Sequence, residues 1–165
     1  MTATPVRAFI ALGGNLGDVA ATFAAALDSI DALPGTHVRA RSSLYRNPPL
    51  GGAAQPDYLN AVVAVDTQLS APQLLDALLA IERRFGRTRD ASARWASRTL
   101  DLDLALYGEH VVDAPGLRVP HPGLHERAFV LVPLAQIAPE AIVPGHGPVH
   151  ALLAAVDSST LVALP

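Results

Sequence analysis

Two carboxylates, Asp101 and Asp103, stand two positions apart in the segment 98–107, RTLDLDLALY. From Leu100 onward the segment alternates with a period of two. That predicts a strand with Leu100, Leu102, Leu104 and Leu106 on one face and Asp101, Asp103, Ala105 and Tyr107 on the other. Same-face neighbours on a strand have Cα atoms about 6 to 7 Å apart. Both carboxylates could therefore grip one divalent ion or a pair of ions, and without a cation they would repel. A half-buried strand with a solvated acidic face accounts for the same pattern, and the strand alone does not separate the two.

The stretch just upstream shifts the balance. Residues 82–98, ERRFGRTRDASARWASR, carry six arginines against Glu82 and Asp90, a local charge of +4 in a chain whose formal charge is -3. A cationic, poorly periodic segment leading into two aspartates is the arrangement a metal-bound polyphosphate needs. Arginine offers forked donors to phosphate oxygens while the metal bridges others. A nucleic-acid groove calls for a broader basic field and more aromatic surface than the 5% found here, so no nucleic-acid partner is expected.

At 165 residues and 17.2 kDa the chain is expected to form a single domain over residues 1–165 with a sizeable core. Half of the residues are hydrophobic, which argues against disorder. No run approaches 18 apolar residues, and the first residues lack a basic segment followed by an apolar one. A cytoplasmic protein without membrane span or signal peptide is expected. Cysteine is absent, which excludes disulfides, thiolate metal sites and cysteine nucleophiles. All twelve basic residues are arginine, so a phosphate loop or Schiff base built on lysine is excluded too.

The remaining pattern supplies elements to hold these groups. Residues 7–12 read as a strand, Gly13 to Asp18 as a tight loop, and Asp18 as the N-cap of a helix with Val19, Phe23, Leu27, Ile30 and Leu33 on one face. The glycine loop has neither GxGxxG spacing nor a Walker lysine, and turn geometry explains it. A second strand lies within 38–45, followed by Asn47, Pro48, Pro49, Leu50 and two glycines, a surface loop or a hinged lid. Residues 58–65 alternate as a strand with Leu59, Ala61, Val63 and Val65 on one face and Tyr58, Asn60, Val62 and Ala64 on the other. An amide inside an apolar strand must find partners, and Asn60 can pair either with neighbouring backbone or with the edge of a heterocycle.

Ser70 and Gln73 have capping-box spacing ahead of a helix over about 71–85, near whose end Glu82 could orient an arginine. Trp95 either anchors its loop or shapes a cleft. Gly108 and Glu109 permit a turn, with residues 110–112 returning as a short strand. His121, between Pro120 and Pro122, is held in stiff backbone, either as a structural residue or as a donor to phosphate. Phe129 serves a core or stacks on a planar ligand. Pro133 is expected to bend or end any helix there, and residues 149–156 have helical character.

Taken together these segments resemble the 6-hydroxymethyl-7,8-dihydropterin pyrophosphokinase family. The matching pieces are ALGGNLGD at 11–18, PPLGG at 48–52, QPDYLNAVVAV at 55–65, IERRFGR at 81–87, RWASRTLDLDLALYG at 94–108 and VPHPGLHERAFVLVPLAQIAP at 119–139. RTLDLD with VPH downstream is the specific combination. The chain departs from the family's usual pattern at Gly14 and at Ala96-Ser97.

The resemblance implies an α/β (α+β) ferredoxin-like sandwich with a mainly antiparallel sheet. Helices 18–33 and 71–85 should pack on its apolar face, with Asp101, Asp103 and Asn60 looking into the opposite cleft. It also implies transfer of diphosphate from ATP to the hydroxymethyl group of the dihydropterin, releasing AMP, in folate biosynthesis. Asp101 and Asp103 would hold two Mg²⁺ ions. Arg87, Arg98, His121 and Arg127 would surround the nucleotide, with Arg89 and Arg94 on a loop closing over both substrates; Arg87, Arg94 and Arg98 would serve catalysis. Asn47, Pro48, Leu50, Tyr58, Asn60, Trp95 and Phe129 would hold the pterin. The partners would be these two small molecules, and the protein a monomer. An ADP-releasing kinase and a metal-dependent nucleotide-binding protein without turnover are the competing functions.

Overall fold

The computed structural model describes residues 4–48, 57–85 and 99–165. The chain runs β1 (Val6–Gly14), α1 (Val19–Asp31), β2 (Thr36–Arg41), β3 (Tyr45–Asn47), β4 (Tyr58–Thr67), α2 (Ala71–Arg84) and β5 (Asp101–Tyr107). A hairpin of β6 (Val112–Ala114) and β7 (Leu117–Val119) follows, then a 3-10 turn (Leu124–Glu126) and α3 (Ala128–Ile137). The last elements are β8 (Ile142–Val143), β9 (Gly147–Pro148), α4 (Val149–Ala154) and β10 (Val162–Ala163).

The main sheet is ordered β10-β3-β4-β1-β5, with β2 also pairing β4, and every described pairing in it is antiparallel. The strand-helix-strand-strand-helix-strand order expected of a ferredoxin-like sandwich is present. One departure is that the second strand is broken into β2 and β3, which lie end to end along β4.

Local chemistry sets the helix starts. Asp18 Oδ1 accepts from the Ala21 N–H, occupying one of α1's unpaired donors. Ser70 and Gln73 complete the reciprocal capping box of α2, and Pro72 stands in its first turn, where no N–H is needed.

Alternation divides the sheet's side chains between two cores. Ile10 and Leu12 of β1, Ala61, Val63 and Val65 of β4, and Leu102 and Leu104 of β5 pack with Phe23 and Ile30 of α1 and Leu74, Leu78 and Ile81 of α2. Phe9, Val62, Ala64 and Leu106 point the other way, against Val130, Leu131 and Leu134 of α3 and Val149 of α4. The molecule is thus layered helix, sheet, helix: α1 and α2 cover the apolar face, as expected, and α3 and α4 cover part of the other.

Three further expectations are narrowed or corrected. Of the two outcomes expected of Pro133, a bend or an end, the end does not occur: α3 continues to Ile137, with Val130, Leu131 and Leu134 buried around the missing N–H. The return after Tyr107 begins at Val112 and pairs with residues 117–119. The alternation of β5 also fails after Leu104: Ile10 pairs Leu104 and Phe9 pairs Leu106, leaving Ala105 without a partner on β1. Such a bulge reverses the facing of every later residue in the strand relative to an unbroken period of two. Leu106 therefore joins the α3 side, and Tyr107 turns toward α2, where its hydroxyl donates to the Leu69 carbonyl.

Candidate active site

The sheet aligns the chemistry in a row. Register places Asn60 of β4 opposite Gly13 of β1, and Gly13 opposite Asp101 of β5. Three strands at the usual spacing put Asn60 and Asp101 about 10 Å apart on one face. Because Leu100, Leu102 and Leu104 pack with α1 and α2, Asp101 and Asp103 lie on the opposite face of β5. Asp101 is half-buried and Asp103 exposed.

Gly13 and Gly14, read from the sequence as part of a turn, belong to β1. Gly13 gives the Asn60 amide room, since a Cβ there would stand 3.2 Å from Asn60 Nδ2. Asn60 Oδ1 is buried and has no hydrogen-bond partner among the described residues. An orphaned buried carbonyl is costly, and a ligand donor would satisfy it. Tyr58 lies opposite Asn47, and Asn60 opposite Tyr45, so β3 lines the same end of β4. Asn47 Oδ1 accepts from Thr160 Oγ1 at 3.4 Å, and Pro48 is exposed.

The bulge carries a second connection. The His121 N–H donates to the Ala105 carbonyl at 3.0 Å, so His121 hangs from β5 two residues beyond Asp103. His121 Nδ1 lies 2.9 Å from the Pro122 carbonyl, which can only accept. Nδ1 is therefore the donor in that contact, which leaves Nε2 as the ring nitrogen open to a ligand. Downstream, the Arg127 guanidinium carbon lies 5.9 Å from the Phe129 ring centroid, stacking a cation on the half-buried aromatic at the start of α3. The loop between them is steadied by the parallel stack of His125 on His146, 3.8 Å between centroids.

Glu82 is 2% exposed, and its Oε2 accepts from the Leu102 N–H at 2.9 Å. The arginines of the following basic segment that the sequence suggested for it lie outside the described residues; the bond to Leu102 joins α2 to β5 between the two aspartates. Glycine inside the strand, the bulge and this carboxylate-amide bond were missed. A run of GG ending an apolar strand could have flagged the first, but no local signal marks the others. Leu50, Arg87, Arg89, Arg94, Trp95 and Arg98 lie outside the described residues.

A divalent metal is tested by the donor set. Among the described residues no group of three His, Cys, Asp or Glu side chains gathers to hold a metal. Two hard carboxylates on one strand face suit magnesium, which is commonly held by one or two carboxylates, with substrate phosphates and water completing its shell.

Residues 9–139 match the family model described as 7,8-dihydro-6-hydroxymethylpterin-pyrophosphokinase. A 2-amino-4-hydroxy-6-hydroxymethyldihydropteridine pyrophosphokinase of Pseudomonas aeruginosa is 47% identical over 159 residues, covering 96% of this chain and 97% of its own. Its counterpart of the same name in Haemophilus influenzae is 45% identical over 139 residues, covering 84% and 86%. Wild-type Plasmodium falciparum HPPK-DHPS with pteroate superimposes with a TM-score of 0.74 at 12% identity. That match covers 92% of this chain and 44% of the longer one, and it speaks for the fold. With the model spanning residues 9–139 and close identity along nearly the whole length, the chain belongs to the 7,8-dihydro-6-hydroxymethylpterin-pyrophosphokinase family.

Proposed function

We propose that this chain transfers the terminal diphosphate of ATP to the hydroxymethyl oxygen of 6-hydroxymethyl-7,8-dihydropterin, releasing AMP, as a step of folate biosynthesis. Family membership gives the reaction. The observation that carries its layout is the row Asn60, Gly13, Asp101: an amide with an unpaired buried oxygen beside a carboxylate pair. A two-ring heterocycle spans that row with its ring edge on Asn60 and its hydroxymethyl group toward Asp101.

Asn60 reads the ring edge, since a buried amide discriminates against analogues lacking its complement. Phe129 and Tyr58 wall the ring together with Trp95, and Asn47, Pro48 and Leu50 form the rim. Asp101 and Asp103 would hold two magnesium ions with the nucleotide, which would supply charge neutralisation and a more acidic hydroxyl. His121 and Arg127 bind phosphate oxygens from the side of β5, and Arg87, Arg89, Arg94 and Arg98 do so from the basic segment. Held in line, the hydroxyl oxygen bonds to the β phosphorus as the bond to the α–β bridging oxygen breaks. AMP leaves with that oxygen, and the hydroxyl proton goes to solvent.

The protein is proposed to act as a cytoplasmic monomer on these small molecules. No described helix is long and apolar enough to cross a membrane. The deciding assay follows nucleotide products with ATP, magnesium and the pterin. AMP formed only when all three are present is expected; ADP as the product would overturn diphosphate transfer in favour of an ordinary kinase.

A further inference from the structure

We propose that Gln136 is a positioning residue for the pterin pocket, a role that rests on the reading of Asn60 and Phe129 as pterin contacts. The break between β2 and β3 sets the problem. Over residues 42–44 the chain leaves the ladder of β4, and its polar groups need other partners. Ser42 solves this locally: its N–H donates to the Val62 carbonyl at 2.9 Å, and its hydroxyl oxygen accepts from the Val62 N–H at 3.0 Å. Ser43 has no such place on β4. Its N–H donates 2.9 Å to Gln136 Oε1, and its Oγ accepts 3.0 Å from Gln136 Nε2. The Tyr45 hydroxyl donates to the same Oε1 at 2.8 Å.

One amide in the last turns of α3 thus makes three hydrogen bonds with the segment entering β3. Those bonds join the two walls of the pocket. On the β3 side, Tyr45 is the register partner of Asn60, and Asn47 is the partner of Tyr58. On the helix side, Phe129 stands seven positions before Gln136, which puts both on the same side of α3, about 10 Å apart along its axis. Fixing Gln136 to Ser43 and Tyr45 sets the position of Phe129 relative to Asn60, and so the width of the slot between them. Of the nucleotide contacts, His121 is tied to Ala105 of β5, whereas Arg127 caps α3 and stacks on Phe129. The clamp therefore acts first on the pterin half of the site and reaches the nucleotide half only through Arg127.

The test compares Gln136→Ala, Gln136→Met and Gln136→Glu by steady-state kinetics and by calorimetric titration with the pterin and, separately, with a non-hydrolysable ATP analogue plus magnesium. Alanine and methionine are expected to raise the pterin KM about tenfold, with a smaller change in kcat and ATP-analogue affinity within about twofold. Glutamate keeps both acceptor positions, the Ser43 hydroxyl can turn to donate, and near wild-type pterin affinity is expected. Tyr45→Phe should weaken pterin binding in the wild-type background and add little in Gln136→Ala, since the bond it removes is already gone. That non-additivity holds whatever either change does to stability.

Pterin affinity unchanged in both alanine and methionine variants would overturn the proposal. So would equal losses for pterin and ATP analogue, or a glutamate variant as impaired as alanine. Asn60→Ala is measured alongside. Should it leave pterin binding intact, the pocket assignment is wrong; should it weaken binding while the Gln136 variants do not, only the clamp is wrong.

Discussion

The side-chain amide of Asn60 lies across β1 above Gly13, so close that a Cβ on Gly13 would stand 3.2 Å from Nδ2. Gly13→Ala can be accommodated only if the Asn60 amide gives way by a few tenths of an ångström. Backbone conformation is not at issue, because Gly13 sits in an ordinary strand. The expected result is about tenfold weaker pterin binding by calorimetry with little change in melting temperature. A glycine needed only for folding would show the opposite pattern.

Removing either aspartate tests the other end of the row. Asp101→Asn and Asp103→Asn should each lower single-turnover AMP formation about a thousandfold or more, the scale of losing a metal ligand at developing charge. Chelation of magnesium from the wild type should do the same reversibly. Unchanged rates in both variants would remove the metal from these positions.

Glu82 makes a stability prediction. Its carboxylate, 2% exposed, accepts the Leu102 N–H at 2.9 Å, so Glu82→Ala strands a buried donor. Urea denaturation should show a loss of about 1 to 3 kcal/mol. Glu82→Gln retains an acceptor and should recover much of it. Because Leu102 sits between Asp101 and Asp103, the alanine variant should also lose activity at temperatures where it remains folded.

Away from the site, Asp66 gives a pH dependence. The hydrogen bond from Arg7 Nε at 2.6 Å, with a second from Arg39 Nε at 3.0 Å, holds its carboxyl below the usual carboxylate range. A carboxyl lowered in the folded state contributes stability that is present above its unfolded value and lost as pH falls through the folded one. Asp66→Asn should thus cost up to about 1 kcal/mol near neutrality, as partly exposed pairs do. That difference should shrink toward zero in acid. A deficit that persists below the folded titration would assign the effect to packing.

The order of elements, the caps at Asp18 and Ser70, and the alternation of β4 were legible because each depends on neighbours within a few residues. The pairing of two aspartates on one face was legible for the same reason. What stayed hidden depends on partners distant in the chain. Nothing around Gln136 announces that Ser43, 93 positions earlier, will need its amide. The bond from Leu102 to Glu82 reaches 20 positions along the chain, beyond any local signal. The break in the second strand is likewise a property of how β4 is shared between β2 and β3.

The unpaired Ala105 separates what the fold requires from what the site requires. Phe9 and Ile10 are consecutive on β1, yet their partners Leu106 and Leu104 are two apart on β5. Shortening β5 by Ala105 alone would make the two strands equal in count and leave every facing as it is. Leu104 would still serve the layer of α1 and α2, Leu106 that of α3, and Tyr107 would still turn toward α2. Both cores could thus survive the deletion. The tether of His121 could not, because the carbonyl that receives its N–H leaves with the residue. The extra residue thus supplies the carbonyl that ties His121 to β5, and a chain one residue shorter would keep the facing of its layers without that tie.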